Sequence, residues 1–472
     1  MKQFRFLLAV SAASVAIAGS IVATPAVAQQ ITTGVQGVVE KSDGGPLAGA
    51  TVVVTDTRTG ASRTLTTSGS GAFASTNLQP GGPYTVVVTA EGFEGQTLEG
   101  IQTTLQGNTD LRFKLDSGSG DIVVTGSRVR STLVAVGPGQ SFSSQILQNA
   151  PSFNRDVRDV IRIDPRVSLD RDDGGSGVDR ISCLGGNDRG NTFTVDGIPQ
   201  GDIYGLNDTG FSSRSSTPLP YDAIRETQVV FAPFDVDYGQ FTGCAINVVT
   251  KSGSNDYRGS AFFEYSGPKM RGNRVANRPV ARIRPEKRWG VSLGGPVIKD
   301  RLFLFGSYEH QEAGQSQDEG PAGAGFSTEL AGVPVAAFNE ITQVIRDVYK
   351  IDSGPLVRNR DYTNDRYFVR GDLQITDDHR LEVTYQRLEE KTVKADDMFT
   401  SQNSPQVVGR NTFLNSGTVS DYYSGRLYSQ WTENFSTEFR YAKSKIRDLQ
   451  DPIGGGEAQS HHRGHRQSGH HA

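Results

Sequence analysis

The chain reads as a mainly β protein: a small sheet unit near the N-terminus, then a long antiparallel wall suited to a lipid bilayer. Three observations carry this. Short runs between about Tyr257 and Ser444 alternate apolar and polar residues, as strands with two unlike faces do. Residues 34–115 are strand-like segments punctuated by Gly and Pro at intervals of about ten residues, as in a small β-sandwich. After the leader, no apolar run approaches the roughly 20 residues that a spanning helix needs. Hydrocarbon tolerates only helices or closed barrels, because each unpaired backbone group costs several kcal/mol there. Alternating strands are therefore the spanning candidates.

Lys2 and Arg5 precede an apolar stretch from Phe6 to Val22, and Ala26-Val27-Ala28 supplies a small-x-small cleavage pattern. Residues 1–28 read as a signal peptide, with the mature chain beginning near Gln29. The balance beyond it suits an exported β protein: 55 of 472 residues are Gly, and the net charge is −4. With a mean hydropathy of −0.41 and no basic stripe, the chain carries no nucleic-acid footprint. Cys183 and Cys244 are too few for a thiolate cage and lack CxxC spacing. In an oxidising compartment they either pair or remain two buried thiols.

The first unit, residues 29–116, places strands at Gln36 to Glu40, Ala50 to Asp56, Ser62 to Thr67, Gly71 to Ser75, Tyr84 to Ala90 and Leu111 to Leu115. Its Pro46-Leu47-Ala48-Gly49-Ala50-Thr51-Val52, Pro80-Gly81, Tyr84 and Gly92-Phe93 resemble the carboxypeptidase regulatory-like domain, a prealbumin-like β-sandwich. The resemblance implies an accessory module outside the membrane and no peptidase. No zinc-binding His/Glu set occurs here, since the first His is His310. Related starch-binding sandwiches leave glycan contact open, but Tyr84 and Phe93 read as core or rim residues rather than a sugar platform.

Residues 117–130 form a Gly/Ser linker carrying Asp121, Ile122, Val123, Val124, Thr125 and Gly126. A short β-forming run beside a flexible link suits strand addition to a partner, with backbone bonds giving affinity. Residues 131–254 contain short helical stretches at Gln145 to Asn149 and Arg155 to Ile161. They also hold Arg189-Gly190-Asn191, Val195-Asp196-Gly197-Ile198, Ile224 to Val230, and an exit run from Gly243 through Asn247 and Thr250 to Gly253. In order and spacing these resemble the α/β plug domain of TonB-dependent receptors, in the Oar-like branch that carries the sandwich in front. By that resemblance residues 121–126 are similar to the TonB box, the segment gripped by a TonB-like energy-transducing protein with its inner-membrane motor. Cys244 stands where the family usually has Gly, and a compensating bridge to Cys183 would fasten the plug body to its exit strand and limit how far it unfolds.

No catalytic constellation is found. Asp170, Asp172, Asp173 and Asp179 lie close in a Gly-rich stretch, but they lack the calcium-loop spacing with its terminal Glu and read as a solvated loop. Asp196 reads as a turn-former before Gly197, and Asp222 and Glu226 are too isolated for paired acid–base work. No enzyme, cofactor or metal is expected.

Residues 255–450 offer seven strands, near 256–266, 286–296, 301–310, 364–375, 379–389, 417–430 and 434–445. Leu381, Val383, Tyr385 and Arg387 oppose Glu382, Thr384 and Gln386, the apolar-out, polar-in period of an outer-membrane wall. Tyr257, Tyr265, Trp289, Tyr308, Tyr422, Tyr423 and Trp431 are candidates for interfacial girdles. Tight turns at 296–300, 376–378 and 432–433 alternate with long polar connections at 311–363 and 390–416, the latter expected outside the cell. Seven strands cannot close a barrel around a plug, which takes about 22, so a truncated form is expected. Residues 451–472, with His461, His462, His465, His470 and His471, read as a disordered tail.

The expectation is thus a TonB-dependent outer-membrane receptor for energy-coupled uptake of an unknown extracellular solute. It would be embedded in outer-membrane lipid with its N-terminal module in the periplasm. The alternatives are a surface adhesion or carbohydrate-binding protein that uses the sandwich, and a non-functional truncated product.

Overall fold

A computed structural model describes residues 31–453 apart from 106, 119–121, 125–138, 153, 171–179, 202–210, 214–216, 232–240, 271, 273, 276–277, 280–284, 396–406 and 433–434. The leader, the His-rich tail, Asp121, Thr125, Gly126, Asp172, Asp173 and Asp179 lie outside the described residues. Among those described, no helix is long and apolar enough to cross a membrane.

The N-terminal unit is a two-layer sandwich of β1 (Thr33–Lys41), β2 (Thr51–Asp56), β3 (Ser62–Thr66), β4 (Ala72–Leu78), β5 (Gly81–Thr89), β6 (Gly95–Thr103) and β7 (Thr109–Leu115). One sheet runs β4-β1-β7, and the other runs β3-β2-β5-β6 and ends on β8 (Ile122–Val124). Alternate residues Val52, Val54, Tyr84, Val86, Val88, Phe113 and Leu115 point inward and fill one apolar core. Strand β6 was not expected from Gly95 to Thr103, whose two glycines and two large apolar residues, Leu98 and Ile101 at a spacing of three, give a weak period-2 signal. Tertiary pairing to β5 supplies what local propensity does not.

The second unit begins with β9 (Gly139–Phe142), α1 (Ser144–Asn149), α2 (Val157–Ile161), β10 (Val167–Asp170), β11 (Arg180–Cys183), β12 (Thr192–Val195) and β13 (Ile198–Pro199). It ends with β14 (Ile224–Phe231) and β15 (Cys244–Thr250). Its main sheet is ordered β13-β12-β15-β14-β9. Every residue of β15 is buried, as a central strand covered on both faces requires. Asp156 caps α2 by accepting the Arg158 N–H at 2.9 Å.

The wall is an antiparallel sheet of β16 (Arg258–Ser266), β19 (Glu286–Ile298), β20 (Leu302–Ser316), β23 (Asn359–Thr376), β24 (His379–Ala395), β25 (Phe413–Thr432) and β26 (Phe435–Pro452), joined in that order. A small hairpin of β17 (Arg274–Val275) and β18 (Arg278–Pro279) follows β16. Strands β21 (Glu319–Ala322) and β22 (Thr328–Pro334), then α3 (Val335–Tyr349), fill the connection from β20 to β23. Several wall strands exceed the expected spans, and both long connections are correspondingly shorter than 311–363 and 390–416. Helix α3 was not expected. Its apolar residues Phe338, Ile341, Val344 and Val348 recur at helical spacing inside a polar segment, and Lys350 at φ 58° ends it.

The two faces of the wall differ as an outer-membrane sheet demands. Outward are Trp289, Val291, Leu293, Leu304, Tyr367, Val369, Val383, Tyr423, Phe439 and Tyr441, all exposed. Trp289 meets Tyr308 edge to face, and Tyr308 with Tyr367 and Tyr385 with Tyr423 make tilted ring contacts across neighbouring strands. From Tyr367 to Thr376 at the turn is roughly 30 Å along the strand. At the usual tilt this gives ~23 Å of height, close to the lipid-facing band of such walls. Tyr422 is a correction to the girdle: it faces inward, 4% exposed, and donates to the Ser212 hydroxyl at 2.8 Å. In strand β25 the even positions look into the lumen, so neighbouring tyrosines at 422 and 423 take opposite faces.

Candidate functional site

The plug unit packs on the polar face of the wall, and that contact is the site. At its centre is the Val195-Asp196-Gly197-Ile198 hairpin. Asp196 and Gly197 both take positive φ, 48° and 69°, as a two-residue hairpin turn requires. The Asp196 carboxylate accepts the Thr250 N–H at 2.9 Å and the Thr250 hydroxyl at 2.7 Å. Asn247 accepts the Thr194 hydroxyl at 2.8 Å, locking β12 in parallel register beside β15. Asp196, Asn247 and Thr250 are thus brought together, with the Asp doing more than shaping a turn.

The wall answers this hairpin with buried charge. Arg370 donates to Asp372 and Glu382, each at 2.8 Å, and to the Thr250 hydroxyl at 3.1 Å, and stands 3.9 Å from Asp196. Arg426 pairs with Glu382 at 3.2 Å and donates to the Asp196 carbonyl, and Arg440 donates to the Gly197 carbonyl at 3.2 Å. Burial pushes the Asp196 carboxyl above its ordinary range, and Glu382 adds to this, although Arg370 and the Thr250 bonds pull the other way. Desolvating so many charges is tolerable only because each finds partners.

A second cluster sits between plug and wall further along the strands. Arg366 pairs with Glu309 at 3.1 Å, and Glu309 also accepts the Tyr221 N–H at 3.1 Å. Arg155 pairs with Asp222 at 2.6 Å and lies 3.6 Å over the Phe262 ring. Gln200 and Gln386 exchange amide bonds near 3.0 Å. Burial alone would raise Asp156, but the charge and hydrogen bonds of Arg158 hold it below the usual carboxylate range.

Cys183 and Cys244 are joined by a disulfide with Cα atoms 5.9 Å apart. Around it, Asn191 accepts the Cys244 N–H at 3.0 Å and donates to the Ile181 carbonyl at 2.9 Å. Gly190 accepts the Gly243 N–H at 2.7 Å, and a Cβ on Gly243 would sit 2.2 Å from the Asn191 side-chain oxygen. Glycine is required by this approach. A Cβ on Gly253 would likewise meet the Leu304 carbonyl at 2.6 Å, where the exit segment leaves the plug against β20. Arg189 lies in the short turn at Asp188–Gly190, where its N–H is accepted by the Asn187 side-chain oxygen at 2.9 Å.

Ile122, Val123 and Val124 are not brought to the plug. They pair in parallel with Gly95, Gln96 and Thr97 of the sandwich. Among the described residues no group of His, Cys, Asp and Glu is arranged to hold a metal. Glu382 was placed on the inward face by its strand period, but its partners and the wall residues Glu309, Arg366, Arg370 and Arg426 were not expected. Their one signal was charge on the inward positions of alternating strands.

A strand-built wall with an apolar outer face, obstructed by a separate domain on its polar inner face, defines a plugged outer-membrane receptor. The chain matches the carboxypeptidase regulatory-like domain over residues 34–116, the TonB-dependent receptor plug domain over 135–244 and an outer membrane β-barrel domain over 249–321. It is 25% identical over 315 residues to the TonB-dependent transporter Oar of Myxococcus xanthus, covering 62% of this chain and 28% of that protein. It is 30% identical over 177 residues to the probable TonB-dependent siderophore receptor PirA of Acinetobacter baumannii, covering 35% and 22%. The outer membrane transporter YddB of Escherichia coli superposes with a TM-score of 0.47 at 12% identity, covering 67% of this chain and 40% of that one. The chain spans about a quarter of the length of the curated relatives it matches. It carries, in their order, the carboxypeptidase regulatory-like and plug domains of an Oar-like TonB-dependent outer-membrane receptor, followed by part of a barrel. Its wall strands lie in the outer membrane and its N-terminal module in the periplasm.

Proposed function

We propose that this chain is the plug-bearing part of an energy-coupled importer of an extracellular solute. A TonB-like protein would grip Asp121 to Gly126 and pull, rearranging the plug so that solute passes between plug and wall. The observation that carries this reading is the polar plug–wall contact, in which Arg370, Glu382 and Arg426 hold the Asp196–Gly197 hairpin. A permanent core would be apolar, whereas buried polar groups can be rehydrated as the contact opens. Arg189 to Gly197 and Gly243 to Gly253 would form the gate. The connections within 311–363 and 390–416 would meet the solute first.

Binding of the purified chain to the periplasmic domain of a TonB-like protein tests the coupling role. Val123→Pro removes a ladder N–H and should reduce that binding to background. Unchanged binding by the variant would remove residues 121–126 from the coupling role.

A further inference from the structure

The sandwich is built onto the plug and wall at several points. Leu105, between β6 and β7, gives its N–H to the Glu226 carboxylate at 3.1 Å and accepts the Gln228 amide on its carbonyl at 3.0 Å. Both partners lie on the plug strand β14, so one residue's main chain is held from both sides. The Leu105 side chain is buried with Ile31, with Val249 of the plug and with Tyr428 of the wall. The Pro80 carbonyl accepts from Arg225 at 3.2 Å, Gln79 donates to Asp372 at 3.2 Å, and the Asn255 N–H reaches the Arg58 carbonyl at 2.8 Å. Asp372 and Tyr428 stand near the tight turns of the wall, the end opposite the long connections. The sandwich therefore sits at the periplasmic mouth. The same sheet carries Ile122–Val124 as its outermost strand, on β6, and β6 leads directly to Leu105.

We propose that the sandwich is a second gate, seated on the periplasmic mouth and latched to the plug through the main chain of Leu105. The coupling strand is docked on this gate. This rests on the plugged-receptor reading and deepens it: a pull on residues 122–124 loads β6 and the Leu105 latch as well as the covalent route through residues 125–138. Opening then requires the sandwich to leave the mouth, and the latch suits that purpose because water can replace its two main-chain hydrogen bonds, leaving only the small apolar contact of Leu105 with Ile31, Val249 and Tyr428 to part.

Amide exchange on the full chain tests the latch without any partner, so it stands or falls separately from the coupling role. Leu105 and Asn255, far apart in sequence, should both be protected in the unaltered chain. Glu226→Ala should speed exchange at Leu105 and also at the distant Asn255 by at least about tenfold, while residues 84–88 in the sandwich core stay unchanged. Glu226→Gln keeps an acceptor oxygen and should remain within about twofold of the parent. Leu105→Pro removes both the donor and the buried leucyl side chain from the sandwich side, leaves every plug residue in place, and should release Asn255 equally. Free exchange at Leu105 in the parent, or an Asn255 rate indifferent to Glu226→Ala and Leu105→Pro, would overturn the second gate.

Discussion

The sandwich core and the plug–wall contact are both buried, yet the first is apolar throughout while the second is largely polar, with Phe305 and Phe368 of the wall as its apolar part. In the sandwich, Val35, Val52, Val86, Val88, Phe113 and Leu115 are shielded almost completely by other apolar side chains. Between plug and wall, Arg366 meets Glu309, Arg370 meets Glu382, Gln386 meets Gln200, and Tyr422 meets Ser212. Separating an apolar interface exposes surface to water at about 25 cal/mol per Å². Separating a polar one exchanges protein partners for water, with a net loss of about 1 kcal/mol per hydrogen bond. The difference teaches which contact is built to persist and which to part.

The largest expected effect breaks the permanent side. Phe113→Ala removes a ring with no exposed surface from the sandwich core and should cost about 3–5 kcal/mol. Denaturant unfolding followed by exchange at residues 84–88 should show that loss there and not at residues 244–250. An equal loss in both would mean that sandwich and plug form one cooperative unit, and the contrast between them would fail.

Breaking the separable side should cost less. Arg370→Met leaves Asp196, Asp372 and Glu382 without their shared cation; removing one member of a buried pair costs about 3–5 kcal/mol, and because Arg426 still faces Glu382 this change should fall near the low end, about 3 kcal/mol. The expected outcome is faster amide exchange at Thr250 and readier proteolysis of the plug, with the sandwich unaffected. A uniform fall in stability across the chain would instead make Arg370 a general framework residue.

How much of this was legible follows from the range over which each feature is determined. The wall was readable because alternation in Leu381 to Arg387 is local, and each residue's face follows from the strand period alone. The sandwich was readable from turn glycines and prolines, apart from β6, whose pairing is tertiary. Helix α3 was hidden because it lies inside a long connection whose flanks are polar and Gly-rich, although Phe338, Ile341 and Val348 carry helical spacing. The charged lock was hidden for a deeper reason. Arg370 and Asp196 are 174 positions apart, and nothing local in either strand says which inward charge will face which hairpin. The same holds for Leu105, an ordinary loop leucine until Glu226 and Gln228 arrive from more than a hundred residues away.

The smallest effect sharpens the comparison through its sign. Asp156 and Asp196 are both buried carboxylates of the plug, but Arg158 holds the first below the ordinary range while burial holds the second above it. The stability Asp156 contributes is present above its unfolded value of 3.8 and is lost as pH falls through the depressed native value. The contribution of Asp196 runs the other way: it is fully present below 3.8 and is lost as pH rises through the raised native value. Acidification from neutrality toward 3.8 should therefore tighten the hairpin locally before any general acid loosening begins. Asp196→Asn imitates the protonated side chain and leaves Arg370 with Asp372 and Glu382, so its effect at neutral pH should be below about 1 kcal/mol. Thr250 amide protection, corrected for the intrinsic pH dependence of exchange, should rise on acidification in the parent and stay flat in the variant. Parallel profiles would assign the acid response to another group and leave Asp196 a turn residue only.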